Sequence, residues 1–355
     1  MKNSNRSGAV WHLWEVVCAL AFCGLLVGCN GKEKNSGGGL FGATGKPLDM
    51  VVVIPETYDS PALRDSVAEA MGYPMPILPQ AEPMLSLMYV GERSFGQMFK
   101  SLRNVLYISI DPERYTRPSV GVSRDPYADG QLMLHARAGS VEGIYRLLKA
   151  RGVALGRMVH REELQRLSKS FTTTYSSKVA GILEETIGGY TINVSNDLDF
   201  TNVAENFVWA SDQGQKGRTD LLIYTYPYEG EKSLMPERIV AVRDSVLAQH
   251  VPGSREGSYM ATEHRVTPMV TSFQYGSQDG VELRGLWRME GDMMGGPFVL
   301  HAMVDEERGR VIVGEVLVYY PAGKKKSLLM AAEGQLATLR PVGQSINALF
   351  EKFEE

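Results

Sequence analysis

Apolar and polar positions along the chain fall into short runs that predict a mixture of strands and helices. Met50-Val51-Val52-Val53-Ile54 is a β-branched apolar run and reads as a buried strand. Ser60-Pro61 then opens a helix to about Ala70, with serine as N-cap and proline at the first position, and Gly72 stops it. A proline-rich turn follows from Tyr73 to Pro83. Strands are expected at 85–90, 105–110 and 132–136, and a short helix at 95–102. Further helices are expected at 141–149, 161–170 and 177–185. In the second half, 221–224 predicts a strand and 236–248 a helix. The segments 298–303 and 311–320 predict a hairpin turned at Glu306-Glu307-Arg308-Gly309.

The second half repeats the order of the first. Arg64-Asp65-Ser66-Val67 and Arg243-Asp244-Ser245-Val246 both sit on expected helices, and the strands starting at Leu132 and Val316 both end in Ala-Gly before a helix. The offsets, 179 and 184 residues, are close. The expected fold is therefore α+β with two similar lobes, 47–190 and 191–345. Each lobe would be a mostly antiparallel sheet with helices packed on one face. Internal duplication is one source of that order and two unrelated α+β halves the other. Residues 346–355 read as a C-terminal tail. Two lobes imply a cleft, where ligands usually bind.

The first residues have a different pattern. Lys2 and Arg6 give a positive start, an apolar run of about a dozen residues spans Val16 to Val27, and Leu26-Val27-Gly28-Cys29 closes it. The run suits a signal core and is too short for a permanent membrane span, which needs roughly 20 residues. The ending resembles the lipobox of bacterial lipoproteins, so residues 1–28 are expected to be removed and Cys29 to be lipidated. Cys18 and Cys23 leave with the signal, and Cys29 becomes the only cysteine. An exported chain normally pairs its cysteines, so a single one at this position fits an acyl anchor. An ordinary secretory peptide is the alternative. Residues 29–46 read as a flexible, glycine-rich tether. Gly37-x-Gly39-x-x-Gly42 lies within it with no strand before it, and is discarded as a dinucleotide signal.

Loss of Lys2, Arg6 and Glu15 takes the formal charge from −4 to −5 over about 325 residues. That balance favours neither nucleic acid nor an anionic lipid surface, so lipid would do the anchoring.

Arg284-Gly285-Leu286-Trp287, Asp292 and Met294-Gly295-Gly296-Pro297-Phe298 resemble a signature of Bacteroidota lipoproteins catalogued as domain of unknown function 4837. Arg103-Asn104, Asn206-Phe207-Val208-Trp209, Tyr226-Pro227-Tyr228 and Lys324-Lys325-Lys326 fit it too, over about 48–345. The resemblance implies a lipidated envelope protein and brings no catalytic residue. In this group, surface export is associated with acidic residues just after the cysteine, and residues 30–34 hold one. The expected location is thus the outer membrane, anchored by lipid and facing the periplasm.

Candidate chemistry is sparse. His135, His160, His250, His264 and His301 show no metal-ligand spacing, so no metal or other cofactor is expected. Ser258, His264 and Asp292 can be written as a nucleophilic set, but no spacing supports it. The stretch from Arg284 to Phe298 offers a candidate ligand platform. Trp287 would stack on a ring, Arg284 would pair with an anion, and Asp292, Gly295 and Gly296 would form a turn that admits close backbone approach. The structural reading of the same residues is a core tryptophan, an Arg284–Asp292 pair and turn glycines. Tyr224, Tyr226 and Tyr228 share one side of a strand, as a carbohydrate stripe or as sheet cover. The expectation is a non-enzymatic anchored protein that binds a ligand, with an envelope protein or a glycan as partner. The alternative is an envelope hydrolase acting on glycan or peptide.

Overall fold

The computed structural model describes residues 40–214 and 217–350. The expected signal segment, Cys29, the first part of the expected tether and residues 351–355 lie outside the described residues.

The first sheet contains β1 (Asp49–Ile54), β2 (Ser86–Gly91), β3 (Asn104–Ile110), β4 (Ser119–Arg124) and β5 (Leu132–Ala138), in the order β2-β1-β3-β5-β4. The helices are α1 (Pro61–Met71), the short α2 (Gln97–Lys100) and α3 (Val141–Ser170). Ser60 caps α1 as expected, accepting from the Leu63 amide. The expected antiparallel sheet is not what forms here. β1–β2, β1–β3 and β3–β5 are parallel, and β4 alone runs against its neighbour. The cause is α1, which carries the chain back to the starting end before β2 begins, as a parallel pair requires.

The helices expected at 141–149 and 161–170 are one 30-residue helix, α3. Gly152 and Gly156, between the two expected helices, are its contact face. A Cβ on Gly152 would stand 2.5 Å from Ala70 Cβ, and one on Gly156 3.2 Å from the Tyr73 ring. Glycine there lets α3 lie close against α1 and the turn after it.

The second half holds α4 (Ser177–Ile187), β6 (Tyr190–Thr191), β7 (Asp199–Ala204), β8 (Phe207–Ser211), β9 (Arg218–Pro227), α5 (Pro236–His250), β10 (Tyr259–Thr262), β11 (Met269–Tyr275), β12 (Gln278–Glu290), β13 (Gly295–Asp305), β14 (Arg310–Tyr319), α6 (Lys326–Leu336) and β15 (Arg340–Pro341). β6 pairs with β15. The large sheet runs β10-β12-β13-β14-β9-β8-β7, with β11 also on β12, and its pairings are antiparallel. The expected hairpin is β13–β14, closed at Gly309 with φ 60. Strand order and direction differ between the two sheets, so the repeated order in the sequence does not extend to a common topology.

Helices cover both faces of the large sheet, not one. Val299, Ile312 and Val316 face α4 and α6, while Leu300, Val311, Val313 and Leu317 face α5 through Ile239 and Leu247. That is why β14 is buried almost end to end instead of alternating. One continuous core joins both sheets, running from Leu48 through α1, α3 and α4 to Leu339. Both sheets belong to a compact unit that begins at Gly42. The cleft expected between lobes is reduced to a seam, because α3 packs directly on α6. Ser168 Oγ donates to the Gly334 carbonyl there at 2.9 Å.

Two ends of the sequence reading change. Residues 346–350, assigned to a tail, bury Ile346, Leu349 and Phe350 beside Tyr275 and Ala337. The last residues of the tether are pinned to the body by Ala43 and Thr44 amide bonds to Asp129 and Ser101. Lys325 and Lys326 stand at the start of α6, where positive charge opposes the helix dipole, and both are buried. Glu82 from the proline-rich turn accepts from both their amides, at 2.6 and 3.2 Å, and supplies the missing negative charge.

Candidate functional site

The predicted platform is built into the interior. Trp287 is 1% exposed, and its Nε1 donates to the Val318 carbonyl at 3.3 Å. Gly295 and Gly296 are not in the turn but start β13, paired with Arg288 and Trp287. A Cβ on Gly296 would stand 2.0 Å from the Val318 carbonyl oxygen, so only glycine permits that strand spacing. Asp292 does lie in the turn, accepting from Ser254 Oγ at 2.8 Å and the Met293 amide at 2.7 Å. It does not pair with Arg284. Tyr224 and Tyr226 are core residues. Ser258, His264 and Asp292 bond to Arg255, Asp244 and Ser254 respectively, and form no set.

Arg284 is instead the centre of a buried ionic chain at the seam. Its Nη1 and Nη2 donate to Glu333 on α6 at 2.8 and 2.7 Å, and its Nε to Glu282 at 2.7 Å. Glu282 stands opposite His301 across β12–β13, and His301 Nε2 is 3.0 Å from it. Phe273 from β11 stacks on the His301 ring at 4.2 Å. On the far side His160 of α3 brings Nε2 to 3.3 Å from Glu333, without the alignment of a hydrogen bond. Five ionisable side chains thus tie α3, α6, β12 and β13 together.

Burial alone would raise both carboxyl groups and lower the guanidinium. Ion pairing outweighs it in each case. Arg284 and then His160 hold Glu333 at about 2. Arg284 and His301 hold Glu282 well below the usual carboxylate range. The two carboxylates raise Arg284 well above its ordinary value. Both acids are ionised at neutral pH, and neither can serve as the proton donor that a glycan-cleaving carboxyl pair needs.

In front of this chain lies a cavity of about 560 Å³, lined by His160, Arg161, Leu164, the β11 stretch from Ser272 to Tyr275, Asp279 and Glu282. Arg161 also borders a hollow of about 300 Å³ lined by Arg124, Arg157 and Glu162, in which Glu162 pairs with Arg124 at 3.5 Å. Arg157 and Arg161, four residues apart, share a face of α3. Charge therefore changes sign along the seam, from Asp279 and Glu282 to Arg161 and Arg157, while Arg124 is matched by Glu162. Tyr275 is buried, and burial first, then Glu282, raises its hydroxyl pKa far above ordinary, so it remains a neutral group in the wall.

Two further ionic clusters serve the fold. Glu163 of α3 takes Arg103, Asn104 and Arg166 at 2.6 to 3.0 Å, fixing α3 to β3. Arg243 of α5 takes Glu315 of β14 through Nε and Nη2, at 3.0 and 2.6 Å, and lies 4.0 Å over the Phe298 ring. The matching Arg64 pairs with Asp59 at the surface. Among the described residues no group of three or more His, Cys, Asp or Glu side chains is placed to hold a metal ion. No helix among them is long and apolar enough to cross a membrane.

Family models match two consecutive segments. Residues 177–338 match the domain of unknown function DUF4837, and residues 43–172 match the domain of unknown function DUF8532. The two meet between α3 and α4. No curated protein matches this chain. Among solved structures it is similar to a point mutant of the protein Mog1, at 10% identity and TM-score 0.27, over 44% of this chain and 92% of that one. It is also similar to the Saccharomyces cerevisiae Ran-binding protein Mog1p, at 11% identity and TM-score 0.27, over 46% and 94%.

Proposed function

We propose that this is a lipid-anchored envelope protein, held at the periplasmic face of the outer membrane by Cys29, whose body binds a ligand in the seam between α3 and β11–β12. The observation that carries the binding reading is the charge-graded cavity whose acidic wall, Glu282, is held in place by Arg284. A preformed cavity of this size suits a small ligand. Carboxylates at one end and arginines at the other favour a ligand with both an ammonium and a carboxylate, as an envelope peptide has. Arg284 then acts as a positioning residue and not as the group that meets the ligand. The hydrolase alternative finds no proton donor in this set.

The test is a thermal-shift titration with a muropeptide that carries a free amine and carboxylates, against a neutral chito-oligosaccharide. The muropeptide is expected to raise the melting temperature and the oligosaccharide is not. Ser272→Trp fills the cavity from an exposed position and is expected to remove the shift without lowering the basal melting temperature. An undiminished shift in that variant places binding elsewhere.

A further inference from the structure

The face of the first sheet opposite α1 and α3 is only half covered. Parallel sheets ordinarily carry helices on both faces. Here Val51, Val53, Val105 and Met133 are covered by Phe95, Phe99 and Leu102, from the segment around α2. Beyond them, toward the C-terminal ends of β3 and β5, the face is open. Tyr107, Ser109, His135 and Arg137 line a cavity there of about 410 Å³. Parallel register sets Tyr107 beside His135 and Ser109 beside Arg137. Open sheets of parallel strands bind ligands outside these strand ends.

The rim adds Lys100, Arg114, Tyr115 and Tyr127. Lys100 Nζ lies 5.0 Å from the Tyr127 ring centre, and Arg114 Cζ 5.6 Å from that of Tyr115. Among the described residues, none of Lys100, Arg114 and Arg137 has a carboxylate within ion-pair distance. The lining carboxylate, Glu92, takes the Tyr107 hydroxyl hydrogen. The geometry is fixed before any ligand arrives. Asp111 accepts from the Glu113 and Arg114 amides at 2.9 and 3.1 Å, which holds the loop bearing Arg114 and Tyr115. That loop rests on Gly139, where a Cβ would come within 2.6 Å of the Tyr115 carbonyl oxygen. Gly121 opposite His135 has no side chain, and a Cβ there would lie 3.2 Å from Arg137 Nη1, so the guanidinium lies across β4. His135 Nε2 meets Ser123 Oγ at 3.2 Å, and burial, then Arg137, lowers its pKa, leaving a neutral imidazole on the floor.

We propose that this cavity is a second binding site, separate from the seam, and that it takes an acidic sugar. The sugar ring lies against Tyr127 and Tyr115, its carboxylate or phosphate meets Arg137 and Arg114, and Ser109 and His135 meet ring hydroxyls. Aromatic faces beside planar guanidinium groups suit an anion carried on a ring. A neutral sugar leaves three cations unmatched, and an acyclic anion leaves the rings unused.

The test is calorimetric titration of the full mature chain with glucuronate, glucose 6-phosphate, glucose and succinate. At least one of the two acidic sugars is expected to bind tenfold or more tightly than glucose and succinate, and the stronger of them identifies the anion. Arg137→Ala and Tyr127→Ala are each expected to weaken that binding at least tenfold, while Ser272→Trp, at the seam, leaves it unchanged. Tyr127 is 43% exposed, so its variant keeps the fold, and exposed Arg114→Ala replaces Arg137→Ala if the latter melts early. Equal binding of glucose or succinate, binding by neither acidic sugar, or full binding in the folded variants overturns the proposal.

Discussion

Arg284 and Glu333 meet through two parallel hydrogen bonds, 2.8 and 2.7 Å long, in the interior between β12 and α6. Removing one partner of such a pair leaves a buried charge unmatched, which costs about 3–5 kcal/mol. Arg284→Leu strands both Glu333 and Glu282, and is expected to lose at least that much stability in urea denaturation. The double variant Arg284→Leu/Glu333→Leu is expected to be more stable than Arg284→Leu alone. A near-neutral Arg284→Leu would show that the guanidinium is not what fixes the seam.

Acid should weaken the same contact. Glu333 is held at about 2 against an ordinary value of 4.5, so its contribution is complete above pH 4.5 and is lost as pH falls toward 2. A shift of that size corresponds to about 3 kcal/mol. Stability measured between pH 5 and 2 is expected to fall more steeply in the natural protein than in Glu333→Gln, which is weaker at neutral pH and has no proton to gain there. Parallel curves would contradict the assignment.

The two Arg-Asp-Ser-Val segments make a matched pair. Arg64 is half exposed beside Asp59, whereas Arg243 is fully buried on Glu315. Arg64→Met is expected to change stability by less than about 1 kcal/mol and Arg243→Met to lose about 3–5. Denaturation midpoints of the two variants check this directly.

These four residues also show what the sequence can carry. Element positions were legible, because capping at Ser60, the β-branched run at 50–54 and the Gly309 turn are local signals. What identical tetrapeptides touch was not local, since burial depends on the sheet each helix meets. Glu282 and His301 are 19 residues apart and become neighbours only through the β12–β13 register. Tyr107 and His135 meet through a parallel pairing that an antiparallel expectation cannot place. The spacing Glu282-x-Arg284 on one strand face was the one available hint of the seam. Trp287 and Gly296, expected in a ligand platform, serve close packing instead.

Glycines separate the two kinds of helix contact. Gly152→Ala drives a methyl into Ala70 and is expected to lose about 1–3 kcal/mol. Gly181 in α4 has open space where a methyl would stand, with nothing within 4 Å, and Gly181→Ala is expected to gain about 0.5–1 kcal/mol. Thermal melts of both variants distinguish packing from helix propensity.

The proposed compartment and anchoring both depend on Cys29. Intact-mass analysis of the membrane fraction, with labelled palmitate fed to the cells, reads that residue directly. The expected chain begins at Cys29, lacks residues 1–28 and carries the label, while Cys29→Ser remains unlabelled and uncut. A chain that keeps residues 1–28, or one cut at Cys29 without acyl label, would contradict the anchored reading.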